Sequence, residues 1–214
     1  TAIVGASGSG KTTLVKLLLG YFAPTSGNIF LGDTPLQDYD MTSWRHSCGV
    51  VLQDSHVFSE SLARNIAVED KHIGRTRLRT AARQANLEEF IEKLPLKYQT
   101  MVGAEGVGLS RGQEQRIFIA RALYKDPSFV FLDEATNSLD ANNERIITGN
   151  LLDFCKGRTV LIVAHRLSTI RHADKIVVLH KGRIVEEGTH DELCARHGHY
   201  YELINNQLIA MGNE

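Results

Sequence analysis

Gly5-Ala6-Ser7-Gly8-Ser9-Gly10-Lys11-Thr12 is the stretch whose reading decides the fold. It matches GxxxxGK[ST], in which glycines let backbone N–H groups converge on phosphate oxygens and the lysine reaches the β and γ phosphates. Before it, Ala2 to Val4 reads as a short buried strand; after it, Leu14, Val15, Leu17, Leu18 and Leu19 recur at helical spacing. A glycine-rich turn that matched by chance would not carry this context of strand before and helix after. The helix that starts near Lys11 also turns its positive dipole end toward the loop. The expectation is a nucleotide site built from Gly5, Ser7, Gly8, Ser9, Gly10, Lys11, Thr12 and Thr13, with the Thr12 hydroxyl on Mg²⁺.

Outward from the loop, Gly20 and Pro24 stop the helix, and residues 27–33 read as a short strand running into a turn. Gly49 to Leu52 is another strand with Gln53 at its end. Residues 61–94 are rich in Ala, Arg, Glu, Leu and Gln and read as helical until Pro95 breaks the pattern. Gly103, Gly106, Gly108 and Gly112 punctuate a loop that feeds a helix to about Tyr124, followed by buried strands at 128–132 and 159–163. Ile176 to Leu179 turns at Lys181-Gly182 into Arg183 to Val185, a hairpin pattern. Apolar strands alternating with helices predict an α/β fold with a mainly parallel sheet covered on both faces. Ligands of such sheets bind beyond the carboxyl ends of the strands.

Composition sets the outer bounds. A chain of 214 residues is long enough for one sizeable domain. A formal net charge of -1 gives no reason to expect nucleic acid as a partner. Cys48, Cys155 and Cys194 lie far apart without a CxxC pair, so neither a zinc site nor a disulfide framework is expected. The apolar runs are strand-length, far short of the roughly 20 residues a membrane-spanning helix needs. The opening Thr1 to Val4 already reads as a buried strand without a Met or lead-in, so a fragment is expected.

Phe129-Val130-Phe131-Leu132-Asp133-Glu134 places two acids after four apolar residues, at the carboxyl end of a buried strand. Magnesium prefers one or two carboxylates with phosphate oxygens and waters, which suits Asp133. Glu134 is then positioned to orient and deprotonate an attacking water, an effect of about 10²–10⁴-fold for general bases. The alternative is a helix N-cap pair at a strand end.

With these motifs in this order, the chain resembles the ATP-binding domain of ABC transporters over essentially its whole length. The resemblance implies a P-loop NTPase (RecA-like) core at 1–60 and 110–214, an inserted helical subdomain at 61–109 and a partial antiparallel β lobe. Residues 1–214 would then form a single ABC ATP-binding domain, truncated at its N-terminus. Its cofactors would be ATP and Mg²⁺. Gln53 would touch Mg²⁺ and water and sense the membrane domain. Leu109-Ser110-Arg111-Gly112-Gln113 is similar to the family signature LSGGQ at four of five positions, with Arg111 replacing a glycine. Ser110, Gly112 and Gln113 would hold the γ-phosphate bound to a second ATP-binding domain, so that two domains close head to tail on two nucleotides. Asp140, in Ser138-Leu139-Asp140, would couple the two sites. His165 would contact the γ-phosphate, although a histidine after a strand is by itself more often structural.

Several phrases are exporter-like. Residues 100–106 resemble an exporter segment that meets the transmembrane domain, with Ala104 intervening before Glu105; residues 133–140 and 164–170 are similar in the same sense. Residues 139–144 and 206–208 look most like bacterial peptide or bacteriocin exporters, some with an upstream leader peptidase. The resemblance thus implies export of a peptide, at the cytoplasmic face of the bacterial inner membrane, by a transporter whose transmembrane domain is the second partner. The alternative is a soluble ABC-type ATPase. The family's adenine-stacking aromatic residue lies upstream of the phosphate loop, which implies weak ATP affinity for these residues alone; stacking is worth about 1–3 kcal/mol in nucleic-acid sites.

Overall fold

A computed structural model describes residues 1–163 and 170–211. By contact, the chain divides into two compact units: Thr1–Cys48, Phe131–Glu134 and Val160–Glu214 form the first, and Gly49–Val130 with Ala135–Thr159 the second. The division passes through three strands, Cys48–Val51, Phe129–Asp133 and Thr159–Val163.

In the first unit, β1 (Ala2–Val4) is buried throughout, as a strand of Ala, Ile and Val covered on both faces should be. It pairs in parallel with β8 (Thr159–Val163), Ala2 opposite Ile162, and with β9 (Ile176–His180), Ala2 opposite Ile176. β7 (Phe129–Asp133) lies beyond β8, and β10 (Arg183–Gly188) runs antiparallel at the other edge. The order β10-β9-β1-β8-β7 therefore puts the strand that feeds the phosphate loop at the centre, as expected for a mainly parallel sheet. Lys181 and Gly182 make the β9–β10 turn, both with positive φ (48° and 77°), the hand that matches strand twist in two-residue hairpins. Against Ala2, Val4, Ile176 and Val178 pack Leu193 of helix α8 (His190–Ala195) and Tyr200 and Ile204 of α9 (His199–Met211).

Helix α1 (Lys11–Leu18) follows the loop directly. Its C-terminal carbonyls are capped from α2 (Met41–His46): the Trp44 indole N–H donates to Leu18 O at 3.0 Å, and Arg45 donates to Leu19 O and Gly20 O at 3.4 and 3.2 Å. The strand expected at 27–33 shrinks to a hairpin of two-residue strands, β2 (Phe30–Leu31) and β3 (Thr34–Pro35). Gly27 and Gly32 have positive φ (75° and 62°), which limits β2 at both ends and turns the chain back into β3.

The second unit takes up β4 (Cys48–Val51) from Gly49 onward. A Cβ on Gly49 would come within 2.5 Å of Pro127 Cγ, so the close approach there needs glycine. The short strands β5 (Glu60–Ser61) and β6 (Met101–Val102) pair antiparallel. Between them in sequence run α3 (Leu62–Ile66), α4 (Arg75–Gln84) and α5 (Glu88–Glu92), in agreement with the helical reading of 61–94. Helix α6 (Arg111–Lys125) buries Ile117, Ile119, Ala120 and Leu123 on an apolar stripe, and α7 (Ala141–Cys155) buries Ile147 and Leu151. Two arginines tie this unit together. Arg77 donates to Tyr124 O at 2.6 Å and lies over its ring. Arg121 donates to Asn65 O at 2.8 Å and lies over Phe58 and Phe118; burial pushes its guanidinium down to about 10. Among the described residues no helix is long and apolar enough to cross a membrane.

Candidate functional site

The site in the first unit is assembled where β1 and β7 end. β1 runs into Gly5, where a Cβ would collide with Leu179 O and Ser9 Oγ, so that only glycine permits this packing. Gly8 and Gly10 have positive φ (75° and 102°), and Gly10 is the N-cap of α1. Having no side chain, Gly10 leaves the first-turn N–H groups of α1 uncapped and available to an anion. Ser7, Gly8 and Thr13 are exposed, whereas Ser9 and Lys11 are buried. Ser9 Oγ is a buried hydroxyl without a hydrogen-bond partner. An orphaned polar atom inside a glycine-rich loop fits a site for an oxygen-rich ligand.

Lys11 lies along this loop, its Nζ donating to Gly5 O at 2.8 Å and Ala6 O at 3.0 Å. Burial lowers its pKa from the usual lysine value, while the charges of Glu134 and Asp133 pull it back up. Both acids are thus near enough to act on the ammonium. Asp133, the last residue of β7, is 1% exposed, and its Oδ2 accepts from Thr12 Oγ1 at 2.8 Å. A hydroxyl and a carboxylate held together at the mouth of the loop are a hard-oxygen pair suited to Mg²⁺. No cluster of three or more His, Cys, Asp or Glu able to hold a metal exists among the described residues. One carboxylate and one hydroxyl suit an ion that keeps waters and takes its remaining oxygens from phosphate.

Glu134 follows with φ 54°, a left-handed conformation uncommon for a residue with a side chain, and its N–H donates to Val163 O at 3.0 Å. Residues held in such conformations cluster at functional sites, and this one stands next to the Asp133 carboxylate. The N-cap alternative for the acid pair does not apply, because α7 begins only at Ala141 and is capped by Asp140. His165 lies outside the described residues.

In the second unit, Ser110 caps α6 in a reciprocal box: its Oγ accepts from Gln113 N–H at 3.3 Å, and its own N–H donates to Gln113 Oε1 at 2.8 Å. A Cβ on Gly112 would lie 3.2 Å from Ser138 O, tighter than an ordinary contact, so the small residue matters there. Asp140 accepts from Asn142 N–H and Asn143 N–H at 3.2 and 3.0 Å, and the hydrogen bonds from Asn143 hold its carboxyl below the usual carboxylate value. Gln53 sits in the turn just beyond β4, and Glu105 and Arg111 are exposed. Sequence reasoning missed Arg116, which donates to Asn86 O at 2.6 Å and to Gly112 O at 3.3 Å and so steadies the first turn of α6. It also missed Gln115, whose side chain donates to Ala135 O at 2.8 Å, one residue past the acid pair. The available signal was two polar residues at the start of a helix whose later turns are apolar.

The phosphate loop at the end of a central parallel strand, with its acid at the end of another, defines the P-loop NTPase class. Within that class the chain belongs to the ABC transporter family, whose model matches residues 1–137. It is 47% identical over 213 residues to an ATP-dependent lipid A-core flippase of Legionella pneumophila (strain Paris), covering 100% of this chain and 36% of that protein. It is 46% identical over 208 residues to a Bacillus subtilis (strain 168) protein provisionally named multidrug export ATP-binding/permease protein YgaD, covering 97% of this chain and 36% of that one. Among solved structures, a bacterial Atm1-family ABC exporter with ATP bound superimposes with a TM-score of 0.92 at 39% identity, covering 97% of this chain and 36% of that one. The chain spans about a third of the length of the relatives it matches.

Proposed function

We propose that these residues bind Mg·ATP and hydrolyse it to power an exporter at the cytoplasmic face of a bacterial inner membrane. The observation that carries this reading is the 2.8 Å contact of Thr12 with Asp133 beside the buried Lys11. Lys11 gives up its loop carbonyls to meet the β and γ phosphates, and the loop N–H groups with those of α1 hold their oxygens. Thr12 and Asp133 hold Mg²⁺, with Gln53 as a further oxygen ligand; bound there, the ion neutralises charge on the phosphates. Glu134 orients water and takes its proton. His165 contacts the γ-phosphate.

Ser110, Gly112 and Gln113 serve a nucleotide on a second copy of the domain, and Asp140 couples the paired sites. In that role Ser110 must exchange its bond with Gln113 for a phosphate oxygen. The head-to-tail pair and the transmembrane domain are the proposed partners, which fits the length of the relatives and the ATP-bound exporter structure.

The peptide or bacteriocin cargo expected from residues 139–144 and 206–208, and the leader peptidase with it, find no support among these relatives. Asp140, Asn142 and Asn143 take part in the N-terminal cap of α7, so that phrase speaks of local structure rather than cargo. A lipid amphiphile is the cargo class we propose in its place, on the likeness to the lipid A-core flippases.

The test is the ATPase rate of the full-length protein in the presence of Mg²⁺, native against Glu134→Gln. Loss of hydrolysis with retained ATP binding, and ATP-driven closure of the mutant domains on each other, supports the reading. Hydrolysis that survives the substitution removes Glu134 from the chemistry.

A further inference from the structure

An anion site made of backbone must keep its carbonyl oxygens turned away from the ligand. In the phosphate loop, four carbonyls are held in this way. Gly5 O and Ala6 O accept from Lys11 Nζ, Ala6 O also accepts from Ser9 N–H at 3.1 Å, and Gly10 O accepts from Leu14 N–H at 2.9 Å. Those partners all belong to the loop or to α1. The fourth, Ser9 O, is held from the far end of the chain: Gly182 N–H, in the β9–β10 turn, donates to it at 3.0 Å.

The hairpin is close to the loop at two more points, one in β9 and one in the turn. A Cβ on Gly5 would collide with Leu179 O, and a Cβ on Gly10 would lie 3.9 Å from Gly182 Cα. Contacts between two backbones do not relax by changing a rotamer, so loop and hairpin shift together. The hairpin is itself anchored on its other side. The Glu186 carboxylate of β10 accepts from His199 N–H at 3.0 Å and Tyr200 N–H at 2.9 Å at the start of α9. His180, the last residue of β9, stacks on His199 with ring centroids 4.8 Å apart.

We propose that the Lys181-Gly182 turn is a positioning element for the phosphate loop, in which Gly182 N–H fixes the Ser9 carbonyl and thereby the direction of the neighbouring N–H groups. This rests on residues 5–12 being the ATP site. Gly182 does not touch the nucleotide; its effect passes through Ser9. With φ 77° it is also a position where a side chain is strained, so an alanine there disturbs the direction of the N–H.

Two variants of the full-length protein in lipid nanodiscs test this. Gly182→Ala keeps the N–H but strains the positive-φ backbone that aims it at Ser9 O, and is expected to raise the KM for ATP about five-fold with kcat within about two-fold. Lys181→Ala removes the neighbouring charge but leaves glycine at 182, and is expected to leave KM within about two-fold of the parent. A folded Gly182→Ala protein with the parent's KM overturns the proposal. Should that variant not fold, hydrogen exchange in the unsubstituted protein decides: Mg·ATP should slow exchange in residues 5–13 and in 180–184 together. Slowing in 5–13 alone overturns the brace and leaves the ATP site standing. Slowing in neither removes the ATP reading, and the brace with it.

Discussion

Thr12 and Asp133 lie 121 positions apart in the chain, yet the threonine hydroxyl donates to the aspartate carboxylate at 2.8 Å. One is in the first turn of the helix after the loop, the other at the tip of a buried strand, and the parallel sheet brings them together. If this pair holds Mg²⁺ as proposed, both of its oxygens are brought to the site by the fold itself, one by helix α1 and the other by strand β7. Thr12→Val and Asp133→Asn are each expected to raise the Mg²⁺ concentration for half-maximal ATPase several-fold. A Mg²⁺ titration at saturating ATP checks both.

Glu134 should separate chemistry from binding. Glu134→Gln keeps size and hydrogen bonding and is expected to cut the hydrolysis rate about 10²–10⁴-fold while ATP still binds. Glu134→Gly would relieve the left-handed backbone at that position, which costs an L residue roughly 1–2 kcal/mol. Denaturant unfolding of the Gly variant should therefore show equal or higher stability with catalysis lost.

Lys11 sets a pH dependence of the ligand-free fold. Its folded pKa is lowered below 10.5, first by burial. In the window just below 10.5 the unfolded chain binds more protons than the folded one, so this group makes stability rise with pH there. In Lys11→Met that contribution vanishes. The stability difference, parent minus variant, should climb as pH rises toward 10.5, the reference lysine value, and urea unfolding at several pH values reads it directly.

Ser110 tests whether the cap of α6 also meets an anion. Ser110→Ala should cost about 1 kcal/mol of stability through the lost cap. Ser110→Asp preserves a good cap and should leave stability within about 0.5 kcal/mol of the parent, but it sets a negative charge where a phosphate is proposed to dock. Thermal unfolding and the ATPase rate should therefore part company in the Asp variant, with stability kept and the rate falling at least tenfold by the estimate of about 1.4 kcal/mol per decade. An active Asp variant would make Ser110 a cap and nothing more.

The parts of the fold that were legible in sequence are those written in local pattern. The run from Ala2 through Lys11, the acids closing β7, the hairpin at Lys181-Gly182 and the helical stretch 61–94 each carry their own periodicity or turn residues. What stayed hidden depends on neighbours remote in sequence. Nothing around Arg121 says that its guanidinium will lie between Phe58 and Phe118, and nothing near Gly49 announces Pro127. The strand expected at 27–33 shrank because its two glycines took positive φ, a choice that composition does not dictate. The peptide cargo expected from residues 139–144 finds no support among the relatives for a related reason, since a helix-capping phrase carries no information about what a membrane domain transports.

Trp44 is the one tryptophan among these 214 residues. Its indole N–H is bonded to the last carbonyl of α1, and its ring meets Phe131 edge-on at 6.4 Å, two residues before Asp133. The chain thus carries a built-in fluorophore wired to both halves of its phosphate site. A shift in emission maximum or quenching on nucleotide addition would report tension along α1 and β7 in real time, with no label attached.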